Sequence, residues 1–107
     1  MALPDRNDLL AREIAQAAAA FIVRNSNRQS LITVLRADVS PDSANATIYV
    51  SVLPEDQEKP AIDFLKRSRA DFRDWIKDEV RLRRLPTFDF KIDIGEKNRQ
   101  VVQPIKE

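Results

Sequence analysis

The spacing of apolar residues near the N-terminus predicts an amphipathic helix. Apolar side chains recur three and four residues apart from Leu10 to Ile22, an interval that places them on one helix face. Asp5 is a candidate N-cap, and Asp8 adds negative charge to the first turn. We expect the helix to end at 25–27, where Asn-Ser-Asn interrupts the pattern.

The next two stretches have the composition of strands. Residues 30–39 are rich in Leu, Ile, Val and Thr, and residues 44–53 alternate between apolar and polar side chains. The turn-forming sequence Ser-Pro-Asp-Ser at 40–43 separates them. Such a short connection predicts an antiparallel hairpin. Tyr49 falls on its polar side, where the ring either contacts a helix or is exposed.

The second half of the chain predicts a polar loop and two helices. The loop covers 54–60, and the helices cover 61–68 and 71–84, or form one helix that bends near 69–70. An apolar face on the last helix is expected to be buried and contains Phe72, Trp75, Ile76 and Val80. For Trp75, a core position is favoured over a platform for base stacking, because it shares its face with Phe72 and Ile76.

A third strand follows Pro86, which cannot continue a helix. Residues 87–94 alternate strictly, and Gly95 ends the pattern. The order helix, strand, strand, helix, helix, strand predicts an α+β fold, in which helices cover one face of a three-stranded sheet. The path from strand 2 to strand 3 is long enough for a crossover, so the sheet is expected to be mixed.

Composition excludes several kinds of protein. The chain has 107 residues, the size of one domain, and contains neither Cys nor His. Thiolate chemistry, zinc ribbons and the usual general base are therefore excluded, and no cofactor or metal is expected. The longest apolar run, 17–23, is far shorter than the ~18 residues of a membrane span. With no secretory signal pattern at the N-terminus, we expect a cytoplasmic protein that makes no membrane contact.

Charge is distributed unevenly along the chain. Residues 38–63 carry a net charge of −5 and residues 64–84 a net charge of +4. On a helix over 71–84, the basic residues Arg73, Lys77, Arg81 and Arg84 fall on one face. Arginine suits bidentate contact with phosphate, so this face could follow a nucleic-acid backbone. The alternative is a solvated face with ordinary ion pairs such as Asp74–Lys77.

Two sequence blocks resemble the family of bacterial ribosome-binding factor A. Residues 39–51, VSPDSANATIYVS, are similar to its hairpin signature, Ser-x-Asp-x-x-x-Ala followed by an aliphatic residue, Tyr, Val and Ser or Thr. Residues 81–86, RLRRLP, with Phe88, Phe90 and Asp93 after them, are similar to its Leu-Arg-x-x-Pro stretch and last strand. The likeness spans about residues 6–95. It implies a type II KH-like fold, α-β-β-α-α-β.

The resemblance also implies how this chain departs from ordinary KH domains, which clamp a nucleic-acid backbone with a GxxG loop. Gly95 is the only glycine, so no GxxG loop exists. The family has instead a kinked junction, Ala or Ser, any residue, then Gly. The corresponding residues here are Ser68-Arg69-Ala70. Because alanine tolerates positive φ poorly, we expect a shallower or more helical bend.

The function that the resemblance implies is assembly of the small ribosomal subunit, without catalysis. Family members bind the free small (30S) subunit, not 70S or 50S particles, near the 5′ helix of its rRNA and the neck, and they matter most in the cold. We expect a monomer with a KH-like RNA-binding domain over 1–95 and a partly disordered tail over 96–107. The residues expected to contact RNA are Lys66, Arg67, Arg69, Arg73, Lys77, Arg81, Arg83 and Arg84, with Arg24 and Arg28 as weaker candidates.

Two other functions remain open from the residues alone. The acidic loop at 54–58 or an exposed sheet edge could bind a protein partner, with no affinity for RNA. An enzyme would need paired carboxylates such as Asp89 and Asp93, which an even spacing could place on one face of strand 3. These two carboxylates are explained more simply as the solvated face of that strand.

Overall fold

The computed structural model describes residues 6–25, 30–82 and 84–93. The expected tail at 96–107 and the candidates Arg28 and Arg83 lie outside these ranges. The elements follow the predicted order, with one added turn of 3₁₀ helix at Glu55–Gln57. They are α1 (Arg6–Asn25), β1 (Leu31–Val39), β2 (Asn45–Leu53), α2 (Glu58–Arg67), α3 (Arg69–Glu79) and β3 (Thr87–Ile92).

The three strands form the mixed sheet that the sequence predicts. β2 lies at the centre, antiparallel to β1 and parallel to β3. The register between β1 and β2 shifts between Val34 and Arg36, so Leu35 is an extra residue in β1. Because of this shift, Val34 faces the helices together with Val50, while Arg36 faces away from them together with Tyr49.

The turn between β1 and β2 is fixed by its own side chains. Oδ1 of Asp42 accepts hydrogen bonds from the Ser40 hydroxyl at 2.7 Å and from the Ala44 backbone N–H at 3.0 Å. Ser43 has a φ of 60°, a left-handed conformation that is uncommon outside glycine. These bonds hold the strained residue in place, so the turn keeps one shape.

The core lies between the helices and one face of the sheet, with Phe72 of α3 at its centre. Its ring contacts four other aromatic rings at centroid distances between 4.9 and 6.4 Å, those of Phe21, Trp75, Phe88 and Phe90. All four aliphatic side chains on the inner face of β2 are buried beside them: Ala46, Ile48, Val50 and Val52. Helices therefore cover one face of the sheet, as the sequence predicts.

α2 begins earlier than the sequence pattern suggests. The predicted loop over 54–60 is instead the 3₁₀ turn followed by the first turn of α2, which starts at Glu58 and not at Ala61. Pro60 is compatible with this position, because the first N–H groups of a helix have no partner within the helix. Burial of Ala61 and Leu65 then fixes the helix against the sheet.

α3 ends at Glu79, so the prediction of a helix up to Arg84 is wrong. Val80 has extended backbone angles (φ −132°, ψ 134°) and is buried. Five more helical residues would advance the chain by about 7.5 Å. The N–H of Thr87 must nevertheless bond the Ala44 carbonyl, and Pro86 must reach the core. Burial of Val80 and Pro86 and pairing of β3 therefore outweigh continuation of the helix.

The bend between α2 and α3 occurs at Ser68, one residue before the predicted position. Ser68 has φ −89° and ψ 3°, and α3 starts at Arg69, so Ala70 is a helical residue. The Ser68 hydroxyl donates a hydrogen bond of 2.8 Å to the Phe64 carbonyl, and Nε of Arg69 donates one of 3.1 Å to the Lys66 carbonyl. The last carbonyls of α2 are thus satisfied without a residue in the left-handed region.

Candidate nucleic-acid interface

The corrected bounds of α3 change the membership of its basic face. Arg69, Arg73 and Lys77 are spaced four residues apart from the first residue of the helix, and all three are exposed. Residues at this spacing lie on one helix face and advance about 6 Å per step. The basic face of α3 therefore begins one turn earlier than predicted, and it does not include Arg81 or Arg84.

Arg81 and Arg84 lie in the segment after α3, on the wall of an open groove of about 840 Å³. Leu9, Leu10 and Leu82 give the groove its apolar lining, while Glu13, Asp42 and Ser43 complete it. The groove therefore combines the start of α1, the β1–β2 turn and the segment after α3. Because Glu13 and Asp42 are carboxylates, the charge of the two arginines is partly balanced there.

Lys66 and Arg69 meet at a single carboxylate. Oδ1 of Asp89 lies 2.9 Å from Nζ of Lys66 and 3.4 Å from Nη1 of Arg69. The same oxygen accepts the backbone N–H of Phe90 at 2.9 Å. Asp89 thus joins α2, α3 and β3, although Lys66 and Asp89 are more than 20 positions apart in the chain.

The carboxyl groups of Asp42 and Asp89 have shifted pKa values. Partial burial acts to raise the pKa of Asp89, but the hydrogen bonds from Lys66 and the Phe90 N–H, with the charges of Lys66 and Arg69, hold it below its usual value. The pKa of Asp42 is lowered by the hydrogen bonds from Ser40 and Ala44, with a small contribution from the charge of Arg84. Both groups are therefore charged at neutral pH.

The other predicted contact residues differ in their surroundings. Nζ of Lys77 lies 3.4 Å from Oδ1 of Asp74, the ion pair predicted from their spacing. Among the predicted contact residues that the structure describes, five exposed arginines make no ion pair: Arg24, Arg67, Arg73, Arg81 and Arg84. The structure does not bring Arg24 to the others, because it lies about 20 Å along α1 from Leu10 at the groove.

Sequence reasoning did not identify Arg36, which organises the face of the sheet away from the helices. Its guanidinium carbon lies 4.1 Å from the centroid of the Tyr49 ring, and its Nη1 lies 2.7 Å from Oδ2 of Asp93. Tyr49 is thus covered by a strand neighbour and does not contact a helix. No sequence spacing signals these contacts, because β1 meets Asp93 only after the whole sheet has formed.

Asp89 and Asp93 do not form the carboxylate pair that an enzyme would need. Each carboxylate is held by different cations, Asp89 by Lys66 and Arg69 and Asp93 by Arg36. Among the residues that the structure describes, no group of three or more acidic side chains could hold a metal ion. In the same ranges, no helix has both the length and the apolar character to cross a membrane.

Trp75 contributes to the core and not to an open stacking surface. It is partly buried, with centroid distances of 5.7 Å to Phe21 and 6.4 Å to Phe72. Its accessible side lines a shallow groove together with Glu13 and Glu79. Two carboxylates at this position would repel a phosphate backbone.

Comparison with known proteins identifies the family. The family model described as Ribosome-binding factor A matches residues 6–105. This chain belongs to the ribosome-binding factor A family. The family member from Desulfitobacterium hafniense is 36% identical over 91 residues, which cover 82% of this chain and 73% of that protein. The member from Kosmotoga olearia is 32% identical over 96 residues, with coverage of 84% and 76%.

Solved structures of ribosome-binding factor A have the same fold. The crystal structure of the Thermus thermophilus protein superposes with a TM-score of 0.74 at 26% identity, covering 82% of this chain and 97% of that one. A homology model of the T. thermophilus protein, fitted into a cryo-EM map of its complex with 30S, gives a TM-score of 0.71 at 26% identity. It covers 82% of this chain and 96% of that one. The KH-like fold expected from the sequence is thereby confirmed.

Proposed function

We propose that this chain binds the small ribosomal subunit through its rRNA and assists late assembly of that subunit without catalysing a reaction. The observation that carries the proposal is the match to the T. thermophilus ribosome-binding factor A that was fitted into a map of a 30S complex. The proposal includes binding as a cytoplasmic monomer to free 30S, near the 5′ helix of the rRNA and the neck. The proposal also includes that the protein matters most in the cold.

The distribution of charge supports RNA as the direct ligand. Cations follow one another along the C-terminal end of α2 and one face of α3, at Lys66, Arg67, Arg69, Arg73 and Lys77. The acidic residues Glu55, Asp56 and Glu58 lie at the opposite end of α2, about 15 Å away along the helix axis. A polyanion would therefore be attracted to one end of α2 and repelled from the other.

The arginines without ion pairs are the strongest individual candidates. Arg67, Arg73, Arg81 and Arg84 can contact phosphate without breaking an ion pair within the described ranges, and a planar guanidinium can bind phosphate in a bidentate way. We assign the RNA-binding domain to residues 1–95, and we retain Arg83, Arg24 and Arg28 as further candidate contacts. Arg24 ranks lower because of its distance from the groove.

Sedimentation with small subunits over a series of salt concentrations tests the proposal. Purified protein is mixed with mature 30S, immature 30S or 50S particles, and the bound fraction is measured. We expect binding to 30S alone, with log K falling against log salt by about 0.7–0.9 per phosphate contacted. Absence of binding to 30S at low salt would contradict the proposal.

Charge reversal identifies the surface. Arg73→Glu and Arg84→Glu should weaken binding and reduce the salt slope, because each removes phosphate contacts. Lys59→Glu is a matched control, since Lys59 is an exposed cation at the acidic end of α2, paired with Asp63 at 3.5 Å. If Arg73→Glu and Arg84→Glu both bind as tightly as Lys59→Glu and the wild type, neither arginine contacts the RNA.

A protein-binding function is favoured by one observation. Leu31 and Leu53 are direct partners in the β1–β2 register, and they are 64% and 56% exposed. Leu53 of this pair is separated from the acidic turn at Glu55–Gln57 by Pro54 alone. Binding that persists at high salt and is lost in Leu53→Ser, but not in Arg73→Glu, would assign the function to a protein partner.

A further inference from the structure

Asp89 is placed to hold two of the proposed RNA-contacting cations in one arrangement. Its carboxylate is fixed on β3 by the hydrogen bond from the Phe90 N–H, and β3 is paired with the central strand at Thr47. Lys66 and Arg69 therefore have their charged ends tied to the sheet. Without this carboxylate, the Lys66 ammonium would lose this partner, and Arg69 would keep only the bond from its Nε to the Lys66 carbonyl, so both side chains would gain rotational freedom.

The ion pairs leave both cations able to bind a ligand. Lys66 uses one N–H of its ammonium for Asp89. Arg69 uses Nε for the Lys66 carbonyl and one N–H of Nη1 for Asp89. Donors remain on both groups, and the side chains are 41% and 47% exposed. The contact with Asp89 therefore orients the cations without consuming them.

We propose that Asp89 is a positioning residue for RNA binding, which presents Lys66 and Arg69 to the phosphate backbone in a fixed geometry. This inference rests on the proposed function. Ordering a long side chain on association weakens binding, and a side chain that is already ordered avoids much of this loss. Loss of the carboxylate should therefore weaken RNA binding, although it removes a negative charge.

Removal of a negative charge acts in the opposite direction to the loss of positioning, and this difference defines the control. Any exposed aspartate near the RNA repels phosphate, so its neutralisation alone should leave binding unchanged or strengthen it. Asp78 is exposed on α3 and forms no ion pair within the described part of the chain. Asp78→Asn and Asp89→Asn thus change the net charge equally, but only Asp89→Asn removes the charged partner that Lys66 and Arg69 share.

The experiment measures the dissociation constant of the full chain for purified 30S subunits across a salt series. Asp89→Asn should bind about three- to tenfold more weakly than the wild type, with Asp78→Asn equal to the wild type or tighter. Asp89→Glu, which retains a carboxylate, should recover part of the loss. Asp89→Asn binding as tightly as Asp78→Asn would overturn the inference.

A second background separates positioning from a change in stability. In the double variant Lys66→Gln/Arg69→Gln, the added change Asp89→Asn should cause no further loss of affinity, because the cations it positions are absent. A loss of the same size in that background would overturn the inference. Failure of the wild type itself to bind 30S would instead contradict the proposed function, and with it the inference.

Discussion

The guanidinium of Arg36 stacks on the ring of Tyr49, its partner in the register of β1 and β2, at 4.1 Å from the ring centroid. The same guanidinium lies 2.7 Å from the Asp93 carboxylate, just after β3. One side chain of an edge strand thus contacts the central strand and the residue that follows the far strand. The outer face of the sheet is therefore held together by a cation, where the inner face is held by apolar packing.

Replacing Arg36 should destabilise the fold. Arg36→Met removes a cation–π contact of about 0.5–1 kcal/mol and a hydrogen-bonded charge partner of Asp93 worth about 1.5–3 kcal/mol. Because the Asp93 side chain is only 13% exposed, its carboxylate would stay largely buried without this cation. We expect a fall of about 2 kcal/mol in the free energy of unfolding in urea. Arg36→Lys should lose less, and equal values for both variants would contradict this account.

Introducing the family's glycine at the helix junction should destabilise this chain. Ala70 is helical and the bend lies at Ser68, so Ala70→Gly gains no conformational benefit and costs about 0.5–1 kcal/mol. Ala19→Gly, at an exposed position inside α1, is the matched control and should cost a similar amount. The measurement is chemical denaturation. Stabilisation by Ala70→Gly would mean that position 70 favours a left-handed backbone.

Truncating the central aromatic ring should have the largest effect on stability. Phe72 is fully buried and contacts four rings, so Phe72→Ala should cost about 3–5 kcal/mol. That is a large part of the stability of a small domain. Phe72→Leu keeps most of the side-chain volume, so it should lower the free energy of unfolding by less. Its stability can therefore still be measured if Phe72→Ala does not fold. Equal stabilities of the wild type and Phe72→Leu would show that the aromatic contacts contribute little.

Stability should fall in acid as Asp42 and Asp89 become protonated. Both have a pKa in the folded state below the usual value, so the charged form favours folding. This contribution is present above the unfolded pKa near 3.8 and is lost as pH falls from there through the lower folded values. Asp42→Asn and Asp89→Asn should each flatten the decline of stability between about pH 5 and pH 2. If stability depends on pH in both variants as it does in the wild type, Asp42 and Asp89 do not cause the decline in acid.

The spacing of apolar residues predicts the helices and strands that bury one face in the core. The apolar face of α1 from Ile14 to Ile22 and the alternation in β2 correspond to buried residues, while Leu10 is partly buried. The end of α3 was missed because the basic and apolar periodicity continues beyond Glu79, whereas the chain leaves the helix to bury Val80 and Pro86. A local pattern contains no information about where β3 must begin.

The candidate interface was predictable in composition but not in arrangement. The excess of arginine and lysine over 64–84 indicated the region, and Lys66, Arg69, Arg73 and Lys77 lie along its helices. The pairing of Lys66 and Arg69 with Asp89 depends on the crossover that brings β3 beside α2. Contacts between residues so far apart in the chain follow from tertiary structure, and no helical or strand spacing encodes them.

The extra residue in β1 has a consequence for self-association. β1 is an edge strand, and its outer backbone groups could template a strand from another molecule. A bulge at Leu35 twists such an edge and interrupts its ladder. Deleting Leu35 would leave Val34 followed by Arg36 in regular alternation, giving a flatter edge. We expect that variant to fold but to aggregate at lower concentration than the wild type, as light scattering would reveal. A residue that adds little to the core thus helps to keep neighbouring molecules apart.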